Sequence, residues 1–483
     1  MTGTEMQSAK APDSDPTPTG LGDITRRSVV GFAAAAAAGA FLTAGARTSP
    51  GVDWSLNKMW DTIVIGAGAS GLGAARVLAD AGKKVLVLEA RDRTGGRLWT
   101  DSTSLSIPFE RGAELVHGNA VSTWGLIEQQ GLATHRWENK YAKYNVSDSR
   151  FIDAKNVESF HFPQGAPSYP NGVPQPHNGE TAEAWLTRIG VPRSNYPISL
   201  LVIEGDSEQF DVLPAIFVLG DFEFALEMQS ESGVMPPEAY GDYRVIGGYK
   251  QVLQPLAASI PLILNSPVSS IDYRKKNRVE VQVGPSTYKA RTVVLAVPGG
   301  VLKNGDITFN PPLPAARQAA LQEILYLPVF KGILEFDHRV VAADQTVQPD
   351  WDVLVGFDKN PPTIWNASEG TPGYNGQLIV TWMTGGKAQE LLDLAEHERH
   401  AAGLETVRKL VGDPGLEYVG ASTYDWSKDR FARGAYPGPF SRRSGLNTPI
   451  DNALFWAGMT TSTVHSSRNS GAAAADQVLT ALG

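Results

Sequence analysis

The chain has 483 residues, too many for one ordinary hydrophobic core, so two domains are expected. Hydrophobic content of 42% and charged content of 19% suit a globular protein, and a net charge of −9 argues against a nucleic-acid partner. There is no cysteine, which excludes disulfides, iron–sulfur clusters, thiolate nucleophiles and zinc-thiolate sites. No other metal site is predicted.

The first 50 residues read as separate from the fold. A polar start leads into TRRSVVGFAAAAAAGAFLTAGA, where Arg26 and Arg27 are adjacent and a weakly apolar, Ala-rich stretch follows. Ala44, Gly45 and Ala46 are small residues of the kind found at a cleavage site. The pattern resembles a twin-arginine signal peptide covering residues 1–46. It predicts an exported protein, periplasmic or extracellular, with the twin-arginine export machinery as a partner. The competing reading is a membrane-anchoring helix. The apolar run is short for a span and alanine is a weak membrane residue, so no stable anchor is expected.

From Asp61 the chain reads DTIVIGAGASGLGAARVLADAGKKVLVLEARDRTGGR. Thr62 to Ile65 is an apolar strand. Gly66, Gly68 and Gly71 form GxGxxG, with Ser70 inside it. A helical pattern runs to Ala79 and stops at Gly82, and Lys84 to Leu88 is a second strand ending at Glu89. Glu89 lies near the spacing expected of a ribose-binding acid. Each part has a physical task. The glycines allow a tight turn and close approach of pyrophosphate, the helix N-terminus offers free N–H groups, and Glu89 accepts from ribose hydroxyls. Strand, glycines, helix, strand and acid in register predict dinucleotide binding. Arg91 to Arg97 then reads RDRTGGR, an RxGGR run whose arginines can pair with phosphate.

These motifs resemble the flavin-dependent amine oxidases, the group of monoamine oxidases, polyamine oxidases and lysine-specific histone demethylases. The resemblance covers nearly all of the chain after residue 57. ERGAELVHG, Glu110 to Gly118, is similar to the loop after RxGGR, whose backbone in the family lies near the flavin; Glu114, Leu115 and His117 fall in it. VIGGYKQVL resembles the family's re-entry into the cofactor domain. NSPVSSID carries Val268 where the family has an adenine contact, and VVLAVPGGVLK resembles its strand and Pro turn near the cofactor. DWSKDRFARGAYPGP and LFWAGMTTSTVHSSRNSGAAAADQVL resemble the two C-terminal segments beside the flavin ring.

The stretch LPVFKGILEF, Leu327 to Phe336, reads as a strand covered on both faces. Val329, Lys331 and Ile333 share one side; Phe330, Leu334 and Phe336 share the other. A buried ammonium is costly, so the simple reading is a lysine whose stem packs while its head reaches water. The resemblance places the family's flavin-site lysine here. By that likeness Lys331 holds a water near flavin N5 and offers a fixed positive charge that favours reduction of oxygen.

The resemblance therefore implies an α/β fold. A Rossmann-type FAD-binding domain (57–118, 243–318 and 420–483) is interleaved with a mixed-sheet and helical substrate domain (119–242 and 319–419). It implies Gly66, Gly68, Ser70, Gly71, Glu89, Arg91, Arg97, Glu114, Leu115, Val268, Met459 and Val464 as cofactor-binding residues. Lys331, Tyr436 and His117 are the candidate catalytic residues. His117 takes the place of a polar residue above the flavin, with a structural loop histidine as the other reading, and Tyr436 matches one wall of the amine cage. His465 reads as structural.

Two departures stand out. Ala435 precedes Tyr436 where some relatives attach FAD through cysteine, so FAD is expected to bind non-covalently. Met459 replaces a glutamate that contacts the cofactor, and the segment Thr460 to Ser470 is short and lacks a second cage aromatic.

Phe162 to Gly179 reads as a long surface loop and RKKNR, Arg274 to Arg278, as a hairpin turn. Between Arg193 and Arg244 there is no Lys or Arg, while Glu204, Asp206, Glu208, Asp211, Asp221, Glu223, Glu227, Glu231, Glu238 and Asp242 fall in that stretch. It reads either as a negative entrance for cationic amines or as a solvated acidic face.

The expected reaction is oxidation of a small-molecule amine by hydride transfer to flavin N5, imine hydrolysis, and reoxidation by O2 giving H2O2. Two alternatives stay open. One is an L-amino-acid oxidase, for which Arg433 and Arg468 are the nearest carboxylate clamps; the other uses FAD for cyclisation or isomerisation. The oligomeric state is open, a homodimer among the choices.

Overall fold

Short apolar runs bounded by turn residues become strands in two sheets, and those sheets position the site. The computed structural model describes residues 58–137, 141–145, 150–153, 161–230, 241–344, 347, 349–356, 359–435, 437 and 445–483. The signal-like segment and Tyr436 lie outside the described residues.

The first sheet has eight strands. Its path runs Leu262–Ile263, Val85–Leu88, Met59–Ile65, Ser286–Leu295, Arg278–Val283, Val268–Lys275 and Thr308–Asn310, and Leu454–Trp456 pairs with Ser286–Leu295. The Met59–Ile65 strand pairs in parallel with Val85–Leu88 and Ser286–Leu295. Such strands are covered on both faces, which explains their unbroken apolar runs. On one face Val64, Val87, Val294 and Phe455 pack with Ala74 and Leu78 of the helix Ala69–Asp80 and with Ala474 and Val478 of the helix Val464–Leu482. On the other, Ile63, Ile65, Leu86, Leu88, Val293 and Trp456 form a second core. Leu78 is fully buried, a burial that contributes about 2 kcal/mol. RKKNR is the expected hairpin turn, with Asn277 left-handed at φ 57°.

The second sheet has seven strands, in the order Gly420–Thr423, Val329–Phe336, Gln377–Thr384, Thr363–Asn366, Val353–Gly356, Tyr141–Asn145 and Arg150–Asp153. All residues of Val329–Phe336 are buried. Phe330 packs with Leu391 and Leu392 of the helix Gly385–Asp393. Leu334 and Phe336 pack with Val407 and Leu410 of the helix Glu396–Val411. The opposite side carries Val329 and Lys331, which line a cavity. The alternation read from the sequence thus holds, and the face with the lysine points inward.

A helical layer stands over this inward face. It includes Ala182–Arg188, Ile198–Asp206 and Leu219–Ser230, joined through Trp185, Phe210 and Phe222. The stretch from Phe162 to Gly179 has no helix or strand, and Phe162 anchors it in that core. Among the described residues no helix is long and apolar enough to cross a membrane.

Candidate active site

One cavity of about 790 Å³ runs from the glycine-rich turn to the inner face of the second sheet, a volume typical of a small-molecule or cofactor site. At its first end Gly66, Gly68, Ser70, Glu89, Arg91, Gly95, Gly96, Arg97 and Val268 line the wall. Gly71 is needed for packing. A Cβ there would stand 1.8 Å from the Gly66 carbonyl oxygen. Gly68 differs: its φ is −81°, and a Cβ would meet no protein atom closer than 3.7 Å. Space in front of Gly68 is therefore open to a ligand. The helix Ala69–Asp80 begins there with no acidic residue in its first turn, so its unpaired N–H groups form an anion site.

Glu89 is buried, and its carboxylate accepts from the backbone N–H groups of Ala67 at 2.7 Å and Arg91 at 2.9 Å. Burial raises its pKa and the two N–H donors oppose that. Arg91 lines the cavity and pairs with Asp429 at 2.7 Å; Arg97 donates to the Ala435 carbonyl at 2.9 Å. Both arginines thus have protein partners as well as a place in the wall, and the helix N-terminus carries the phosphate-binding geometry.

The middle of the cavity holds Gly112, Glu114, Leu115, His117, Val329 and Lys331. Lys331 does not reach bulk water. Its Nζ donates to Glu114 Oε2 at 2.7 Å and to the Gly112 carbonyl at 3.1 Å, and stands 5.6 Å from the Trp365 ring centroid. Glu114 Oε1 meets Arg244 Nε at 3.4 Å. Burial lowers the Arg244 pKa, and Glu114 opposes that. Glu110 lies nearby; burial pushes its pKa up to about 7 against hydrogen bonds from the Tyr249 N–H and the Thr100 hydroxyl. The simple reading of Lys331 as a lysine with its head in water is corrected: it is a buried cation held by a carboxylate. His117 Nδ1 lies 2.7 Å from Asp242 Oδ1, and His117 stays about half exposed.

Beyond Lys331 the cavity is walled by Trp137, Val353, Thr363, Trp365 and Trp382, with Asp206 among them. The rings form a continuous wall: Trp137 and Trp365 are 6.2 Å apart, Trp365 and Trp382 6.4 Å. These indoles supply the aromatic wall that sequence reading missed. Strand alternation held a signal, since Thr363/Trp365 and Lys331 occupy matching faces, but the register that joins them is a tertiary fact.

The acidic stretch is corrected as well. Glu204 is paired bidentately with Arg193, at 2.9 and 2.7 Å, and Glu208 accepts from the Gly386 N–H. Asp242 faces His117. Glu231 and Glu238 lie outside the described residues. Neither a uniform entrance nor a uniform solvated face describes these carboxylates.

Val464 lines the cavity beside Thr461, Ser462 and Thr463. Met459 does not; it is 1% exposed and packs in the second core of the first sheet. His465 contacts the Thr463 hydroxyl at 3.2 Å. Arg433 is paired with Asp306 at 3.0 and 3.1 Å.

The chain matches the profile of the family described as flavin containing amine oxidoreductase over residues 69–185 and 216–479. It belongs to that family. Its cofactor is FAD, which the open face of Gly68, the helix N-terminus and buried Glu89 fit. The chain is 28% identical over 451 residues to polyamine oxidase 4 of Oryza sativa subsp. japonica, covering 86% of this chain and 88% of that protein. It is 29% identical over 294 residues to human lysine-specific histone demethylase 2, covering 57% of this chain and 34% of the relative, so it spans about a third of that protein. A solved putrescine oxidase bound to putrescine shares the fold, with TM-score 0.67, 21% identity and coverage of 88% of this chain and 99% of that one.

Proposed function

We propose that this amine oxidase oxidises a small aliphatic amine and passes the electrons to O2. The observation that carries the reading is Lys331, a buried cation lining the same cavity as the dinucleotide-binding turn. Bound FAD would supply hydride acceptance from the amine α-carbon and later reoxidation by O2 with release of H2O2. Gly66, Gly68, Ser70, Glu89, Arg91, Arg97 and Val268 would hold it. The chain's own tasks follow from their positions. Trp365 and Trp382 wall the chamber, exclude water and present ring faces to a cation. Lys331, fixed by Glu114 and the Gly112 carbonyl, keeps a positive charge where negative charge develops. His117, oriented by Asp242, can take a proton from an ammonium at the cavity wall and leave the neutral amine.

An amino-acid substrate would need a free arginine for its carboxylate. Of the two candidate clamps, Arg433 is engaged by Asp306 and Arg468 is not in the cavity wall, which favours an amine without that group. The test is peroxide release on a panel of monoamines, diamines, polyamines and amino acids, run with the parent and with Lys331→Met. The parent should respond to amines, and the variant should be reoxidised about a hundredfold more slowly. Peroxide from amino acids alone, or unchanged reoxidation in the variant, overturns the reading.

We also propose export: the Arg26–Arg27 pattern and the absence of cysteine support work outside the cytoplasm. The expected division into cofactor and substrate segments is kept as part of this reading.

A further inference from the structure

Resting on the amine-oxidising reading, we infer that Asp206 binds a second cationic group of the substrate, so the preferred substrates are diamines or longer polyamines.

The placement comes from register. Lys331 pairs with Trp382 across the neighbouring strand, and Trp382 pairs with Thr363 across the next. Side chains in such a row point to one face, and each strand adds about 4.8 Å, so Lys331 and Thr363 stand about 10 Å apart at the backbone. Asp206 Oδ1 accepts from the Thr363 hydroxyl at 2.5 Å. Asp206 therefore marks the far end of a chamber whose near end is Lys331. It is the last residue of the helix Ile198–Asp206, one turn beyond Val202, which packs against the cluster of Trp137, Val353 and Val355. That spacing puts Val202 and Asp206 on the helix face that meets the sheet.

The chemistry of the end wall is that of an ammonium receptor. Among the described residues the Asp206 carboxylate has one hydrogen bond, from the Thr363 hydroxyl to Oδ1. Asp206 is shielded from bulk water but keeps surface open to the cavity. Lys387 lies near enough to act on its charge, yet the Lys387 Nζ donates to the Glu204 carbonyl at 3.4 Å. The indole N–H groups of Trp137 and Trp365 are buried without a partner among the described residues. Both residues line the cavity, but an indole N–H donates only, so it is the ring faces and the Asp206 carboxylate that can meet an ammonium. A carboxylate beside tryptophan faces holds an alkylammonium by charge and by cation–π attraction together.

Asp206 touches no reacting atom in this scheme and acts on specificity. The experiment compares 1,4-diaminobutane with n-pentylamine, in which a methyl replaces the second ammonium, on the parent and on Asp206→Asn. FAD content and circular dichroism serve as checks of folding. The parent should favour the diamine. Asp206→Asn should lower kcat/KM for the diamine at least about 30-fold, mostly through KM, and leave n-pentylamine within about threefold. Asp206→Glu, which keeps the charge, should restore part of the diamine preference. A parallel loss for both amines, or an unchanged preference, overturns the assignment. If the parent oxidises neither amine, the proposed reaction has failed. The thermal shift given by 1,4-diaminobutane then decides the Asp206 assignment: kept in the parent and lost in Asp206→Asn supports it, and no difference overturns it.

Discussion

Two buried acids carry a pH dependence that can be worked out in sign. Burial pushes Glu110 up to about 7 from an ordinary value of 4.5, and Asp206 up to about 7 from 3.8. Between the ordinary and the raised value, the folded chain binds more protons than the unfolded one. Stability therefore falls as pH rises from about 4 to about 7, and the penalty is fully present above that window. Glu110 is 7% exposed and one of its carboxylate oxygens has no partner among the described residues. Glu110→Gln keeps the acceptor for the Tyr249 N–H and removes the charge. It should raise stability at pH 8 by roughly 1–3 kcal/mol and leave stability nearly unchanged at about pH 4, below the window, flattening the slope of Tm against pH. A Tm profile parallel to the parent's would show that Glu110 does not titrate there. The neighbouring Lys331–Glu114–Arg244 cluster shows why a lysine variant must be read with care. Lys331→Met leaves Glu114 with Arg244 alone, so loss of stability and loss of oxygen reactivity must be measured separately.

At the scale of elements, the strand–turn–helix around GxGxxG separates two reasons for glycine. Gly71 is excluded from carrying a side chain by the Gly66 carbonyl, whereas Gly68 has room on the protein side. Gly71→Ala should cost about 1–3 kcal/mol in thermal or denaturant unfolding. Gly68→Ala should leave the fold's stability nearly unchanged and lower the flavin-to-protein absorbance ratio, because the methyl enters the ligand's space. Equal losses of Tm in the two variants would mean that Gly68 also serves packing. This turn was legible in the sequence because all its parts lie within one short stretch and each has a local physical requirement. The lysine strand was legible by alternation and likeness. Its partners were not: Glu114 is 217 residues from Lys331, and nothing local links them. The tryptophan wall and Asp206 were hidden for the same reason. Strand register and the helix face decide which indole and which of many carboxylates turn inward.

At the scale of the molecule, length made two domains the prior and the family resemblance gave the interleaving as an expectation, while the relation between the two sheets is a tertiary matter. The export reading is also a whole-chain property. Changing Arg26 and Arg27 together to Lys should leave folded, FAD-loaded precursor in the cytoplasm, read by fractionation and flavin absorbance. Normal export of that variant would sink the twin-arginine reading and favour another route or an anchor.

The first sheet is assembled from distant parts of the chain. The strand Leu454–Trp456 enters beside Ser286–Leu295, and the helix Val464–Leu482 packs on Ala69–Asp80. Thr461, Ser462, Thr463 and Val464 complete the wall in front of the glycine-rich turn. A nascent chain therefore has the fingerprint early in its synthesis but no closed pocket until the ribosome has delivered residues 454–482. Cofactor loading therefore waits for residues 454–482, so yellow colour reports that this segment is in place. Under the proposed twin-arginine export this sets an order of events: residues 454–482 dock, the pocket closes on FAD in the cytoplasm, and only then does the loaded protein leave.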